Sequence, residues 1–227
     1  MHVVLVPGAG GTAWFWHRVV PLLEEAGHTA AAIDLPGDDE AAGLPEYAEL
    51  VLAGAAGHDD VVLVGQSIGG FTVPLVAREL VARGTPPRAI VLLNAMIPAP
   101  GETPGAWWDD VDQATARVDA ARAGGWSEEF DLDTYFLHDV DPAVAAEGEP
   151  YQRPEADVVF SSVCDIGRWP DIPTVVISGA DDRFFPLPFQ QRIARERLGV
   201  EPRVVPGGHL AALSQPGALV DALLESV

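Results

Sequence analysis

A chain of 227 residues with 48% hydrophobic composition can bury a substantial core, and its length fits one domain or one domain carrying an insertion. Its 13 Lys+Arg residues, all arginine, face 34 Asp+Glu for a net charge of -21, a field that repels phosphate backbones and anionic membrane surfaces; neither nucleic acid nor a membrane is an expected partner. Cys164 is the single cysteine, which leaves no internal disulfide or cysteine-based metal cluster and agrees with a reducing cytoplasm.

The first apolar run, His2–Val6, follows Met1 with no basic segment, long apolar core or small-residue cleavage site ahead of it, so no leader is expected. No apolar stretch approaches the roughly 20 residues that a membrane helix requires. After this strand comes a glycine-rich turn, "PGAGG", then a helix over Trp16–Ala26, a strand over Ala30–Asp34 and a helix over Leu44–Ala56. The next strand, Asp60–Gly65, runs without a turn cluster into a helix over Ile68–Arg83, and a fourth strand covers Arg88–Asn94. These are continuous apolar runs with no polar alternation, the pattern of strands covered on both faces. With helices between them, right-handed crossovers predict a mainly parallel α/β sheet.

From 97 to 172 the rhythm breaks. This stretch offers no convincing strand but carries Trp107, Trp108, Trp126 and Trp169 together with Phe130, Tyr135 and Phe136. Disordered segments are poor in aromatics, so an ordered, mostly helical cap is expected, inserted into a core formed by residues 1–96 and 173–227. The alternation then resumes with a strand over Pro173–Ser178, a helix over Pro188–Leu198, a strand over Pro202–Pro206 and a helix over Gln215–Glu225.

Between the third strand and its helix stands "GQSIG", Gly65–Gly69. A turn this abrupt strains the backbone at the serine, and glycines on either side relieve the crowding. The same turn lifts the Ser67 hydroxyl clear of the sheet and aims the first free amides of the helix at the same space, so a nucleophile and an anion site arise together. A hydroxyl attacks poorly without a base to take its proton and a third group to hold that base in the right tautomer. Of six histidines, His209 follows the last strand in "VVPGGHLAAL", where two glycines can present an imidazole at the sheet's C-terminal edge. His2, His17, His28 and His58 read as structural. His138 lies close to Asp139 and Asp141, a grouping that reads as a solvated loop before a metal site. For the acid, "SGADDRFFP" offers both Asp181 and Asp182 beyond the fifth strand. Cys164 lacks a glycine-framed turn and reads as a small buried apolar residue.

Taken together, "VLVPGAGGTAWFW", "AIDLPG", "VGQSIGG", "SGADDRFFP" and "GGHLAALSQP" stand in the order of the α/β-hydrolase superfamily, which the chain resembles over nearly all its length outside the insertion. The opening "PGAGGTAWFWHRVVPLLEEAGHTAAAIDLPG" is similar to the branch of small esterases and hydroxynitrile lyases that includes plant methyl esterases. Two features depart from that pattern: Pro7 stands where the branch has histidine, and the chain starts at what would be the family's third strand. In the resemblance the acid stands three residues after a glycine and four before a proline, counts met by Gly179, Asp182 and Pro186 and missed by Asp181. The resemblance also implies an oxyanion hole from the backbone N–H groups of Ile68 and Ala9.

These residues imply a serine hydrolase of small, neutral, ester-like substrates working through an acyl-enzyme, with Ser67, His209 and Asp182 as the triad and no cofactor or metal. The aromatic residues Trp14, Trp107 and Trp108 are expected to line an apolar substrate pocket. A phosphate-loop reading of "PGAGG" fails because no G-K-[ST] follows. A dehalogenase or epoxide hydrolase would place an aspartate at position 67. A thioesterase, a lyase or cofactor-free oxygenase on the same fold, and a ligand-binding receptor are the remaining alternatives.

Overall fold

A computed structural model describes residues 1–227. Six strands form one sheet in the order β2-β1-β3-β4-β5-β6. They are β1 (His2–Val6), β2 (Thr29–Ala32), β3 (Val61–Gln66), β4 (Ala89–Leu93), β5 (Thr174–Gly179) and β6 (Arg203–Val205). Every neighbouring pair is parallel.

The continuous apolar runs are explained by what covers them. Along β1, Val4 and Val6 join one buried cluster while Val3 and Leu5 join the other; Leu63 in β3 and Ile90 and Leu92 in β4 side with the first, Val62, Val64, Val91 and Leu93 with the second. Successive side chains point to opposite faces, and both faces are dry, so each position of a strand must be apolar.

Helices α1 (Val20–Glu25), α2 (Leu44–Ala55) and α3 (Gly69–Ala82) fill the first crossovers. The helix expected over Trp16–Ala26 is divided: a 3-10 turn, Ala13–Trp16, precedes α1, in which Pro21 occupies the first turn. Proline has no N–H to give an upstream carbonyl and is accommodated at a helix start, so the chain restarts there. After the 97–172 segment come α8 (Leu187–Leu198), a short α9 (Ala211–Ser214) that the sequence pattern did not reveal, and α10 (Pro216–Leu224).

The 97–172 segment is helical, with α4 (Pro104–Asp110), α5 (Gln113–Gly124), a π-helical turn at Asp133–Leu137, α6 (Pro142–Gly148) and α7 (Asp157–Ser161). Its helix starts are written locally: Thr103 Oγ1 accepts from the Ala106 N–H at 3.1 Å ahead of Pro104, and Asp141 Oδ1 accepts from the Ala143 N–H at 2.8 Å ahead of Pro142. Trp107, Val111, Val159, Cys164 and Ile166 belong to the first of these buried clusters, with Val4, Leu63 and Ile90. No helix is long and apolar enough to cross a membrane.

Parallel strands all end on the same side. The loops after β1, β3, β4, β5 and β6 therefore open at one edge, carrying the glycine turn, Ser67, Asn94, Asp182 and His209 respectively. This is the edge at which α/β sheets place their sites.

Candidate active site

Ser67 leaves β3 with φ 51°, in the left-handed region that β-carbon-bearing residues seldom adopt. Backbone bonds hold it there: its N–H donates to Leu93 O at 3.2 Å, and its carbonyl accepts from Gly70 N at 3.0 Å and Met96 N at 2.9 Å. The flanking glycines are required by close approach. A β-carbon on Gly65 would lie 2.7 Å from Gly69 O, and one on Gly69 would lie 2.8 Å from Pro7 O. Strand and helix pass each other at backbone distance, and only glycine fits between them.

His209 Nε2 lies 3.2 Å from Ser67 Oγ, and His209 Nδ1 lies 2.9 Å from Asp182 Oδ2. With a carboxylate at Nδ1 the ring carries its proton there, leaving Nε2 to accept from the serine hydroxyl. The second carboxylate oxygen, Asp182 Oδ1, accepts from Phe184 N at 2.9 Å and Phe185 N at 2.8 Å, while Gln190 Nε2 reaches Oδ2 at 3.3 Å. Ser67, Asp182 and His209 are all buried. The imidazole is enclosed by rings: Phe136 stacks on it at 4.9 Å, and Phe184 and Phe185 meet it edge-on at 5.2 and 5.0 Å. Asp181, by contrast, is exposed, and its carboxylate accepts from Gly207 N at 3.3 Å, facing away from the imidazole.

A cavity of about 300 Å³ opens over this array, lined by Ser67 and His209, by Gly8, Ala9 and Gly10 of the glycine turn, and by Trp14, Phe15, Leu132, Phe136, Tyr151 and Leu213 among others. Neither the Ala9 N–H nor the Ile68 N–H donates to any protein acceptor. Trp14 stands where a pocket residue was expected, stacked against Tyr151 at 5.5 Å. Trp107 and Trp108 do not line this cavity. Trp107 is wholly buried, donates from Nε1 to Ile97 O at 3.1 Å and packs against Phe185 and Phe189, while Trp108 packs on Phe184 and Phe185. Both lie behind the phenylalanines that cover His209, because α4 is drawn into the core by its apolar side chains.

The remaining candidates have other duties. His2 donates from Nε2 to Gly54 O at 3.0 Å, meets the Thr29 hydroxyl with Nδ1 at 2.8 Å and stacks on His58 at 3.6 Å; burial, reinforced by His58 and the chain's amino group, pulls it below its ordinary pKa even though Gly54 O opposes the shift. His138, Asp139 and Asp141 form no three-ligand cluster: His138 Nε2 lies 3.9 Å from Asp139 Oδ1, Asp139 Oδ2 accepts from Gly208 N at 2.6 Å, Asp141 caps α6, and His138 is held below its ordinary pKa by burial and by Arg183, with Asp139 opposing. Cys164 is buried, with its thiol pushed up to about 12 by desolvation.

Several polar residues around the array gave no motif signal. Asn94, at the end of β4 with φ 43°, donates from Nδ2 to Gly208 O at 2.9 Å and to His209 O at 3.2 Å and accepts from Gly179 N at 2.7 Å. It therefore ties the acid-bearing strand to the histidine loop. Gln66 reaches His209 O from β3 at 3.4 Å. The only hint in sequence was a polar residue closing an apolar strand.

A model of the alpha/beta hydrolase family matches residues 3–222 of this chain. Over 114 residues the chain is 38% identical to a probable esterase of Oryza sativa subsp. indica, a match spanning 46% of this chain and 42% of that one. The chain thus covers less than half the length of this relative. A norfluorocurarine synthase from a Strychnos species is 26% identical over an alignment covering 99% of this chain and 94% of the relative. The crystal structure of polyneuridine aldehyde esterase superimposes with a TM-score of 0.79 at 21% identity, covering 99% of this chain and 98% of that one, a likeness of fold.

Proposed function

The chain belongs to the alpha/beta hydrolase family, and we propose that it is a serine esterase acting on small, neutral carboxylic esters. The single observation that carries this reading is the continuous relay Ser67 Oγ, His209, Asp182, with steps of 3.2 and 2.9 Å, opening on an apolar cavity of about 300 Å³. Ser67 Oγ attacks the ester carbonyl as its proton passes to His209 Nε2. The oxyanion of the tetrahedral intermediate is taken up by the Ala9 and Ile68 N–H groups, neither of which is engaged elsewhere. Collapse expels the alcohol, which takes the proton from His209, and leaves the acyl chain on Ser67. Water then attacks the acyl-enzyme with His209 as base, releasing the acid and restoring the hydroxyl. Asp182 keeps the imidazole in the competent tautomer and stabilises its cation. Losing one oxyanion donor in such a site costs about 2.7–4 kcal/mol of transition-state stabilisation.

A neutral substrate is supported by the lining, whose one arginine, Arg153, is already paired with Asp34 at 2.9 Å, and by the net charge of -21. The relative named as a probable esterase supports hydrolysis. The relative named as a synthase raises a second reading, in which the same residues serve a non-hydrolytic conversion. The free Cys164 supports action in a reducing cytoplasm.

Incubation with a fluorophosphonate followed by peptide mass mapping is the direct test. One equivalent should label Ser67, and Ser67→Ala should abolish both labelling and release of p-nitrophenol from p-nitrophenyl acetate. Labelling elsewhere, or turnover that survives Ser67→Ala, defeats the assignment.

A further inference from the structure

The loop that carries Ala9 has an unusual weakness. Pro7–Gly11 contains three glycines, with Gly10 at φ 83° and Gly11 at φ 69°. Such a segment loses more conformational freedom on ordering than any other, and left alone it would not hold an N–H fixed. Electrostatic stabilisation of an oxyanion depends on donors already in place before the charge develops. Something outside the loop must therefore hold it.

What holds it comes from the far end of the 97–172 segment. Glu155 Oε2 accepts from the Gly10 N–H at 2.6 Å, and its other oxygen accepts from the hydroxyl of Tyr47, on α2, at 2.9 Å. Two residues earlier, Arg153 Nε donates to Gly10 O at 3.0 Å. The same peptide neighbourhood is closed from below by Leu35 N donating to Gly11 O at 2.7 Å, and Ala156 N donates to Gly37 O at 2.7 Å, keeping the segment in place. Both polar groups of Gly10 are thus fixed by side chains 143 and 145 residues away in sequence. A carboxylate placed here is not cheap: burial raises the Glu155 pKa, against the opposing pull of the Gly10 N–H, Tyr47 and Arg153. Simple packing would be served better by an apolar residue.

We propose that Glu155 is a positioning residue for the oxyanion site: by tying the Gly10 N–H, in the peptide that follows Ala9, to Tyr47, it restrains the loop on one side of Ala9 and so keeps the Ala9 N–H directed toward the reacting carbonyl. The inference rests on the esterase reading above. Glu155 touches no substrate; it acts through the glycine loop, coupling the segment that carries Arg153 and Glu155 to the oxyanion site.

Because an oxyanion forms only in the transition state, loss of Glu155 should appear in kcat and leave ground-state binding alone. The experiment measures kcat and KM on p-nitrophenyl acetate, and the affinity of a trifluoromethyl ketone that forms a tetrahedral adduct, for the parent, Ser67→Ala, Glu155→Ala, Glu155→Asp and Glu155→Gln. Glu155→Ala should lower kcat about tenfold or more and weaken the ketone by the same factor, with KM within about threefold. Glu155→Asp, too short to span Gly10 and Tyr47, should move in the same direction, and it carries the test if the alanine variant does not fold. Glu155→Gln keeps an acceptor for the Gly10 N–H and should return kcat to within about threefold of the parent. If kcat and ketone affinity are unchanged in folded Glu155→Ala or Glu155→Asp while thermal stability falls, Glu155 is a structural tie and the proposal is overturned with the esterase reading intact. Turnover that persists in Ser67→Ala overturns the reading itself, and the proposal with it.

Discussion

Replacing Asp182 by asparagine changes one atom and should remove almost all activity, for reasons that can be followed bond by bond. Asp182 Oδ1 accepts from two backbone donors, Phe184 N at 2.9 Å and Phe185 N at 2.8 Å. An asparagine must leave its oxygen there, since the reverse orientation would set its NH2 against both donors at about 1–3 kcal/mol each. Its nitrogen then faces His209 Nδ1 and the Gln190 amide. Gln190 cannot turn to accept from it, because its own Nε2 is committed to Phe185 O at 2.6 Å. The imidazole relieves the clash by moving its proton to Nε2, which places a donor against the Ser67 hydroxyl and leaves no base. A tautomer error of this kind costs about 10⁴ in turnover in a related triad, equivalent to about 5.4 kcal/mol of barrier. Asp181→Asn loses at most the 3.3 Å bond from Gly207 N and should stay within about tenfold of the parent. Measuring kcat of both variants on one activated ester decides the matter. An Asp182→Asn enzyme within tenfold of the parent, or a crippled Asp181→Asn enzyme, would show that Asp182 is not the triad acid.

Other outcomes follow from burial and charge. Trp107→Ala should cost about 3–5 kcal/mol of stability by calorimetry or denaturant titration while leaving acyl-chain preference unchanged, because the side chain is wholly buried and off the cavity; a shifted preference at unchanged stability would return Trp107 to the pocket. Trp14→Ala should enlarge the cavity and favour longer acyl chains on a p-nitrophenyl ester series, with no shift counting against a pocket role. His2 has a folded-state pKa below its ordinary 6.5, so above that pH both states are neutral and nothing is lost. Below it the unfolded chain takes up a proton that the folded protein refuses, and stability falls until the folded pKa is reached. Melting curves of parent and His2→Gln should therefore diverge in slope as the pH falls below 6.5, the variant declining less steeply; parallel slopes would show that His2 is not the group responsible.

How much of this was written in the chain depends on whether the signal is local. Strand positions were legible because burial on both faces demands unbroken apolar runs, and Ser67 was legible because the elbow's close backbone approach demands glycine at 65 and 69. His209 and Asp182 lie at strand ends, where chain order narrows the choice. The surroundings of Trp107, Asn94 and Glu155 were not legible, since each is defined by a partner far away in sequence: Phe185 for the tryptophan, Gly179 and His209 for the asparagine, Gly10 for the glutamate. An aromatic residue in a cap looks the same whether it faces a cavity or the core. Only the packing of α4 separates the two.

The sheet order also has a consequence for how the molecule acquires its activity. From β3 outward the strands β4, β5 and β6 are added at one edge in the order in which they leave the ribosome. Parallel pairings of this sort close long loops and assemble slowly. Ser67 and His209 are separated by 142 residues, and the histidine stands after β6, the edge strand that is synthesised last. A nascent chain can therefore complete most of its sheet before His209 is there to meet Ser67.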